Sequence, residues 1–102
     1  MANIVFSNAT ESDLVQIGDY ISTQLNAPQA ALNTMDRIKQ SIDKLEIFPQ
    51  MGVPLSSITT AESDHRVLVC GNYLAFYHEQ GDDVIIDRIL YGKRDYLTVL
   101  FG

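Results

Sequence analysis

The sequence predicts an α+β fold in which an N-terminal two-helix hairpin packs on a mainly antiparallel sheet, in the order β-α-α-β-β-β. Three observations lead there. Apolar residues recur at helical spacing from Leu14 to Leu45 and give way to strand-like runs after His65. Pro28 leaves only a short link between the two helical segments. Gly71-Asn72 and Gln80-Gly81-Asp82-Asp83 then divide the second half at the intervals of an antiparallel meander.

Each element follows from local chemistry. Ile4 to Phe6 reads as a short first strand. Asn8, with Glu11 three residues later, has the form of a capping box, so the first helix is expected to start there. Leu14, Ile17, Ile21 and Leu25 line one helical face, and Glu11, Asp13, Gln16 and Asp19 are expected on a solvated one. The helix should end at Asn26, which tolerates the left-handed conformation, before Pro28 interrupts the hydrogen-bond ladder. Pro28 suits the first turn of a second helix, where Ala31, Met35, Ile38, Ile42 and Leu45 form the strongest pattern in the chain. So short a link makes the two helices an antiparallel hairpin with one joint apolar face. The second helix should stop before Pro49, and Phe48-Pro49-Gln50-Met51-Gly52 opens a loop running to about Asp64. Arg66 to Cys70, Tyr73 to His78 and Val84 to Leu90 are the expected strands, and an apolar tail, Tyr96 to Phe101, is expected to pack back onto the domain.

With 102 residues and 46% hydrophobic content, the chain is expected to form a single domain spanning 1–102. Cys70 is the sole cysteine, so neither an internal disulfide nor a cysteine metal cage can form, which fits a reducing cytoplasm. The start lacks the pattern of a secretory signal, and no apolar stretch approaches the roughly 20 residues that span a bilayer. A soluble cytoplasmic protein with no membrane contact is the expectation. Seven basic residues face thirteen acids, a formal net charge of -6, so general attraction to phosphate backbones is weak. Lys93-Arg94 is the one adjacent basic pair.

Five words in this order carry a resemblance. They are Asp13-Leu14 with Asp19-Tyr20-Ile21, Leu45-x-x-Phe48-Pro49-x-x-Gly52, His65-Arg66, Asn72-Tyr73-Leu74-x-Phe76-Tyr77, and Arg88 to Tyr96 (Arg-Ile-Leu-Tyr-Gly-Lys-Arg-Asp-Tyr). Over essentially its whole length the chain resembles the RelE/ParE toxins of type II toxin-antitoxin systems. The resemblance implies a compact toxin held inactive by a cognate antitoxin that wraps around it, with operator DNA reached only through that antitoxin. RelE-like members cut messenger RNA on the ribosome, and ParE-like members block DNA gyrase.

In the ribonuclease branch a base activates the ribose 2′-hydroxyl and cations stabilise the transition state. There the resemblance makes Arg66 and Arg94 the candidate catalytic arginines, with Lys93 beside the second and His65 as a substitute acid or base. The chain departs from that branch in having no lysine between Gly52 and His65, and in carrying Leu100 where a functional tyrosine is expected. Lys93, Arg94, Tyr91 and Tyr96 are the candidate target-binding residues. Against these stand plainer roles: His65 flanking a strand edge, Arg66 paired with Asp64 or Asp87, Arg88 structural beside Asp87, Cys70 a buried hydrophobe, and the tyrosines packing a small core. His78 has no second ligand at metal spacing along the chain, so neither metal nor cofactor is expected. The ending from Arg88 to Tyr96 is closer to ParE-like proteins and favours gyrase inhibition. Ribosome-dependent mRNA cleavage is the alternative, with a non-toxic member that only pairs with an antitoxin as the third.

Overall fold

A computed structural model of the chain describes residues 1–57 and 64–92. The order is β1 (Asn3–Phe6), α1 (Asn8–Asp19) continued by a π-helical turn (Tyr20–Gln24), α2 (Pro28–Asp43) continued by a 3-10 turn (Lys44–Glu46), then β2 (Val53–Pro54), a second 3-10 turn (Leu55–Ser57), β3 (Arg66–Cys70), β4 (Tyr73–Gln80) and β5 (Asp83–Tyr91). The five strands form one sheet in the order β1-β5-β4-β3-β2. The expected helical hairpin and antiparallel meander are both present. Two features go beyond the expectation: β1 adds in parallel beside β5, and the loop after the second helix supplies β2, antiparallel to β3. Pro54 lies in this edge strand, where its missing N–H costs no ladder bond. The tail from Tyr96 to Phe101 lies outside the described residues.

The first helix starts one residue earlier than the capping-box reading placed it. Ser7, not Asn8, is the N-cap, and its Oγ accepts from the Thr10 N–H at 3.1 Å. The reason is tertiary, because the same hydroxyl lies 3.0 Å from the Asp87 carbonyl on β5. The helical segment does end at Asn26, which takes φ +50°, and Pro28 opens α2. Gly71 and Gly81 take φ +64° and +62° at the first position of their two-residue turns, the pattern of type II′ hairpins.

α2 and its 3-10 extension lay Ile38, Ile42 and Leu45 on one face of the sheet, against Leu68, Cys70, Ala75, Tyr77, Val84, Ile86 and Ile89. Full burial of each of the three aliphatic side chains contributes about 1.5–3 kcal/mol. Leu14, Ile17 and Met35 pack at the margin of this cluster. On the opposite face Leu55 covers Val67, Phe76 and Leu90 in a smaller cluster. Among the described residues no helix is long and apolar enough to cross a membrane.

A bulge in β5 sets the phase of the sheet. Phe76 pairs with Arg88 but Tyr77 pairs with Ile86, so Asp87 is an extra residue on β5. Strict alternation would put Arg88 on the face of Val84 and Ile86. The extra residue sends Ile89 there instead. The start of α1 holds this irregularity: Ile86 O accepts from Ser7 N at 3.1 Å and from Thr10 Oγ1 at 2.6 Å.

Candidate functional site on the sheet face away from the helices

His65 directly precedes the Arg66–Tyr77 pair of the β3–β4 hairpin and His78 directly follows it, and the two rings lie side by side. His78 follows Phe76 by two residues, so both project from the face away from the helices. Asp87, the bulged residue of β5, reaches the same place. Its Oδ2 lies 2.7 Å from His78 Nδ1 and 3.1 Å from His65 Nε2. A second carboxylate, Asp64 Oδ1, stands 3.2 Å from His65 Nδ1. The imidazole rings are tilted, with centroids 5.0 Å apart. All three side chains are partly exposed, at 33% for His65, 22% for His78 and 25% for Asp87.

One carboxylate oxygen shared by two imidazoles can hold both rings in place as each donates an N–H to it. The arrangement can therefore move a proton or ligate a cation. His65 Nε2 or Nδ1, a His78 nitrogen and an Asp87 oxygen lie within 4.8 Å of one another.

Arg66 is not part of this constellation. It pairs with Tyr77, whose side chain belongs to the helix-side core, and so it leaves β3 on the face opposite His65. Its Nη1 donates to Gly52 O at 2.9 Å and to Gln50 O at 3.4 Å, pinning the loop after α2. Neither Asp64 nor Asp87, the partners expected from sequence, receives it. Arg88 is structural as expected, and its partner is Asp13. Its Nε and Nη2 each donate to Asp13 at 2.8 Å, and Asp13 Oδ2 also accepts from Ile89 N at 3.0 Å. Asp13, placed by sequence on a solvated face, is only 7% exposed.

Tyr91 ends β5 half exposed, its ring edge-on to Tyr73 with centroids 5.7 Å apart. The pair borders a cleft of about 660 Å³ whose other wall comes from Ile17, Tyr20, Ile21 and Leu25. Burial raises the Tyr73 hydroxyl above its ordinary pKa, with the nearby Tyr91 and Tyr20 hydroxyls adding to the effect. Lys93, Arg94 and Tyr96 lie outside the described residues.

The sequence model of the ParE toxin of type II toxin-antitoxin systems matches residues 4–96. The chain belongs to this family. Among solved structures, the toxin shares 21% identity with a chain of the chromosomal ParDE toxin-antitoxin system from P. aeruginosa, at a TM-score of 0.73 over 89% of this chain and 96% of that one. It shares 15% identity with YafQ from E. coli strain BL21(DE3), at a TM-score of 0.51 over the whole of both chains. No curated protein matches the sequence. At these identities the solved structures establish the fold: two helices on a mixed sheet, as in the RelE/ParE superfamily.

For this ParE-family toxin the site is thus divided. His65 enters a cluster, Arg66 is committed to a loop on the other face, and Tyr91 borders the cleft beside the helical hairpin. Sequence reasoning missed His78 and Asp87. The first was within reach, because the Gly71-Asn72 turn pairs Cys70 with Tyr73 and counting outward pairs residue 65 with residue 78. The second was not, because only the bulge aims Asp87 at the histidines.

Proposed function

We propose that the toxin arrests growth by binding and inhibiting DNA gyrase, as ParE-like toxins do, and that a cognate antitoxin neutralises it in the cytoplasm. The observation that carries this reading is the separation of Arg66 from His65. A ribonuclease needs its cations and its acid or base around one phosphate, and the Arg66 guanidinium bonds loop carbonyls on the opposite face of β3. A binder of gyrase needs no such ensemble. The family match over residues 4–96 supports the same side, as does the acidic total charge, which disfavours an RNA substrate.

The antitoxin segment fits the cleft between Tyr20, Leu25, Tyr73 and Tyr91. Tyr20 and Leu25 are each 56% exposed, and an apolar helix face laid against them would bury them. Operator DNA is then contacted by the antitoxin and not by the toxin. Messenger RNA cleavage remains the second reading, favoured by the shared carboxylate of His65 and His78.

The test combines induction in a bacterium lacking the antitoxin with a supercoiling assay on purified gyrase. Relaxed plasmid, DNA-damage signalling and intact mRNA are expected. Unimpaired supercoiling in excess toxin would sink the gyrase reading, codon-phased new mRNA 5′ ends would establish the ribonuclease, and normal growth with folded protein would identify a member that only pairs with its antitoxin.

A further inference from the structure

We infer that His65, His78 and Asp87 form a binding site for a borderline divalent transition-metal ion of the zinc class, independently of how the toxin acts on its target. The donor set decides the class. Two imidazole nitrogens and one carboxylate oxygen suit zinc and its neighbours, whereas magnesium and calcium take oxygen ligands. Three protein ligands with an open position is the composition of accessible zinc sites.

Geometry agrees. Ligands about 2.0–2.2 Å from a tetrahedral ion stand roughly 3.4 Å apart. Asp87 Oδ2 lies 2.7 Å from His78 Nδ1 and 3.1 Å from His65 Nε2, and the ligand atoms all lie within 4.8 Å of one another, so small side-chain adjustments bring them to that spacing. Two ligands come from the adjacent strands β4 and β5, and the third is the residue that directly precedes β3, the next strand of the sheet. His78 is held by the ladder itself, and Asp87 and His65 each sit directly beside paired residues, Ile86 and Arg66.

Two further features point the same way. The bulge interrupts the β4–β5 ladder at Asp87, and bulges re-aim side chains at functional positions. Asp64 also stands 3.2 Å from His65 Nδ1, an outer carboxylate that leaves Nε2 directed at the site. All three ligands are partly exposed, so solvent reaches the site.

The experiment is a calorimetric titration of the metal-stripped, full-length toxin with zinc chloride, with magnesium chloride as the competing hard cation. Saturable binding of one zinc per chain, undisturbed by excess magnesium, is expected. His78→Ala and Asp87→Asn should each weaken it more than about 100-fold, and Asp64→Ala roughly tenfold, as for loss of an outer-shell partner. Absence of saturable binding, or binding retained in both ligand variants, overturns the site. The chain has only two histidines, so imidazole 15N spectra of the wild-type protein decide the matter even if a variant fails to fold. Zinc must shift the resonances of both rings, and a shift of one ring or of neither overturns the inference.

Discussion

Gly52 sits where no side chain fits. A Cβ there would stand 2.7 Å from Tyr77 Oη and 2.9 Å from Val67 O, and the Gly52 N–H donates to Tyr77 Oη at 2.8 Å. Gly52→Ala is therefore expected to cost about 1–3 kcal/mol by overpacking, seen as a lower urea midpoint at unchanged slope. Cys70 makes a second prediction. Burial pushes its thiol up to about 11 from the ordinary 9.0. The unfolded chain releases that proton near 9.0 and the folded chain keeps it until about 11, so between these values the native state binds more protons. Its contribution to stability is then complete below 9.0 and is lost as pH rises through that window, on the order of 2 kcal/mol. Denaturation from pH 8 to 11 should show this alkaline fall, and Cys70→Ala should remove the cysteine's share of it. Arg94 makes a third: Arg94→Ala should lower toxicity while unfolding stays cooperative, as measured by growth on induction and by urea denaturation. Loss of cooperative unfolding would make the residue structural.

At the scale of elements, the start of α1 and the bulge of β5 form one unit. Ser7 caps the helix and bonds Asp87 O, Thr10 bonds Ile86 O, and Asp13 accepts from Arg88 and Ile89 N. Ser7→Ala and Thr10→Val should each cost about 1–2 kcal/mol, from a lost cap and a lost buried hydrogen bond. Because both serve the same bulge, a double-mutant cycle should show a combined loss smaller than the sum. Equal additivity would mean that the two anchors act independently. The helices were legible because their ends are local: Asn26 and Pro28 stop and restart the chain whatever surrounds them. The N-cap was misplaced because Ser7 and Asn8 are both good caps, and a strand distant in sequence selects between them. The strands too were legible as runs, but the phase of β5 was not, since a bulge is defined against a partner strand. Asp13 was misassigned for a related reason. Helical periodicity marks a polar residue as outward-facing, but it does not register that Arg88 and an unpaired strand N–H meet it inside.

Over the whole molecule the chain is acidic, and three exposed apolar residues, Tyr20, Leu25 and Tyr91, border the cleft between the helical hairpin and the end of the sheet. An antitoxin seated there by apolar contact should hold through salt. Its affinity is expected to change less than about tenfold between 50 and 500 mM NaCl, since screening weakens charge pairing and leaves apolar burial intact. Release at moderate salt in a binding assay would show that charge dominates. By itself the sequence determined the α+β class, the helical hairpin, the two turns of the meander and, through its ordered words, the toxin family, because all of these are written in local periodicity, turn chemistry or spacing. Only the tertiary structure decided that β1 runs parallel beside β5, that Arg66 and His65 leave the sheet on opposite faces, and that His65, His78 and Asp87 converge. These depend on which strands pair and in what register, and that is settled by burying a shared core.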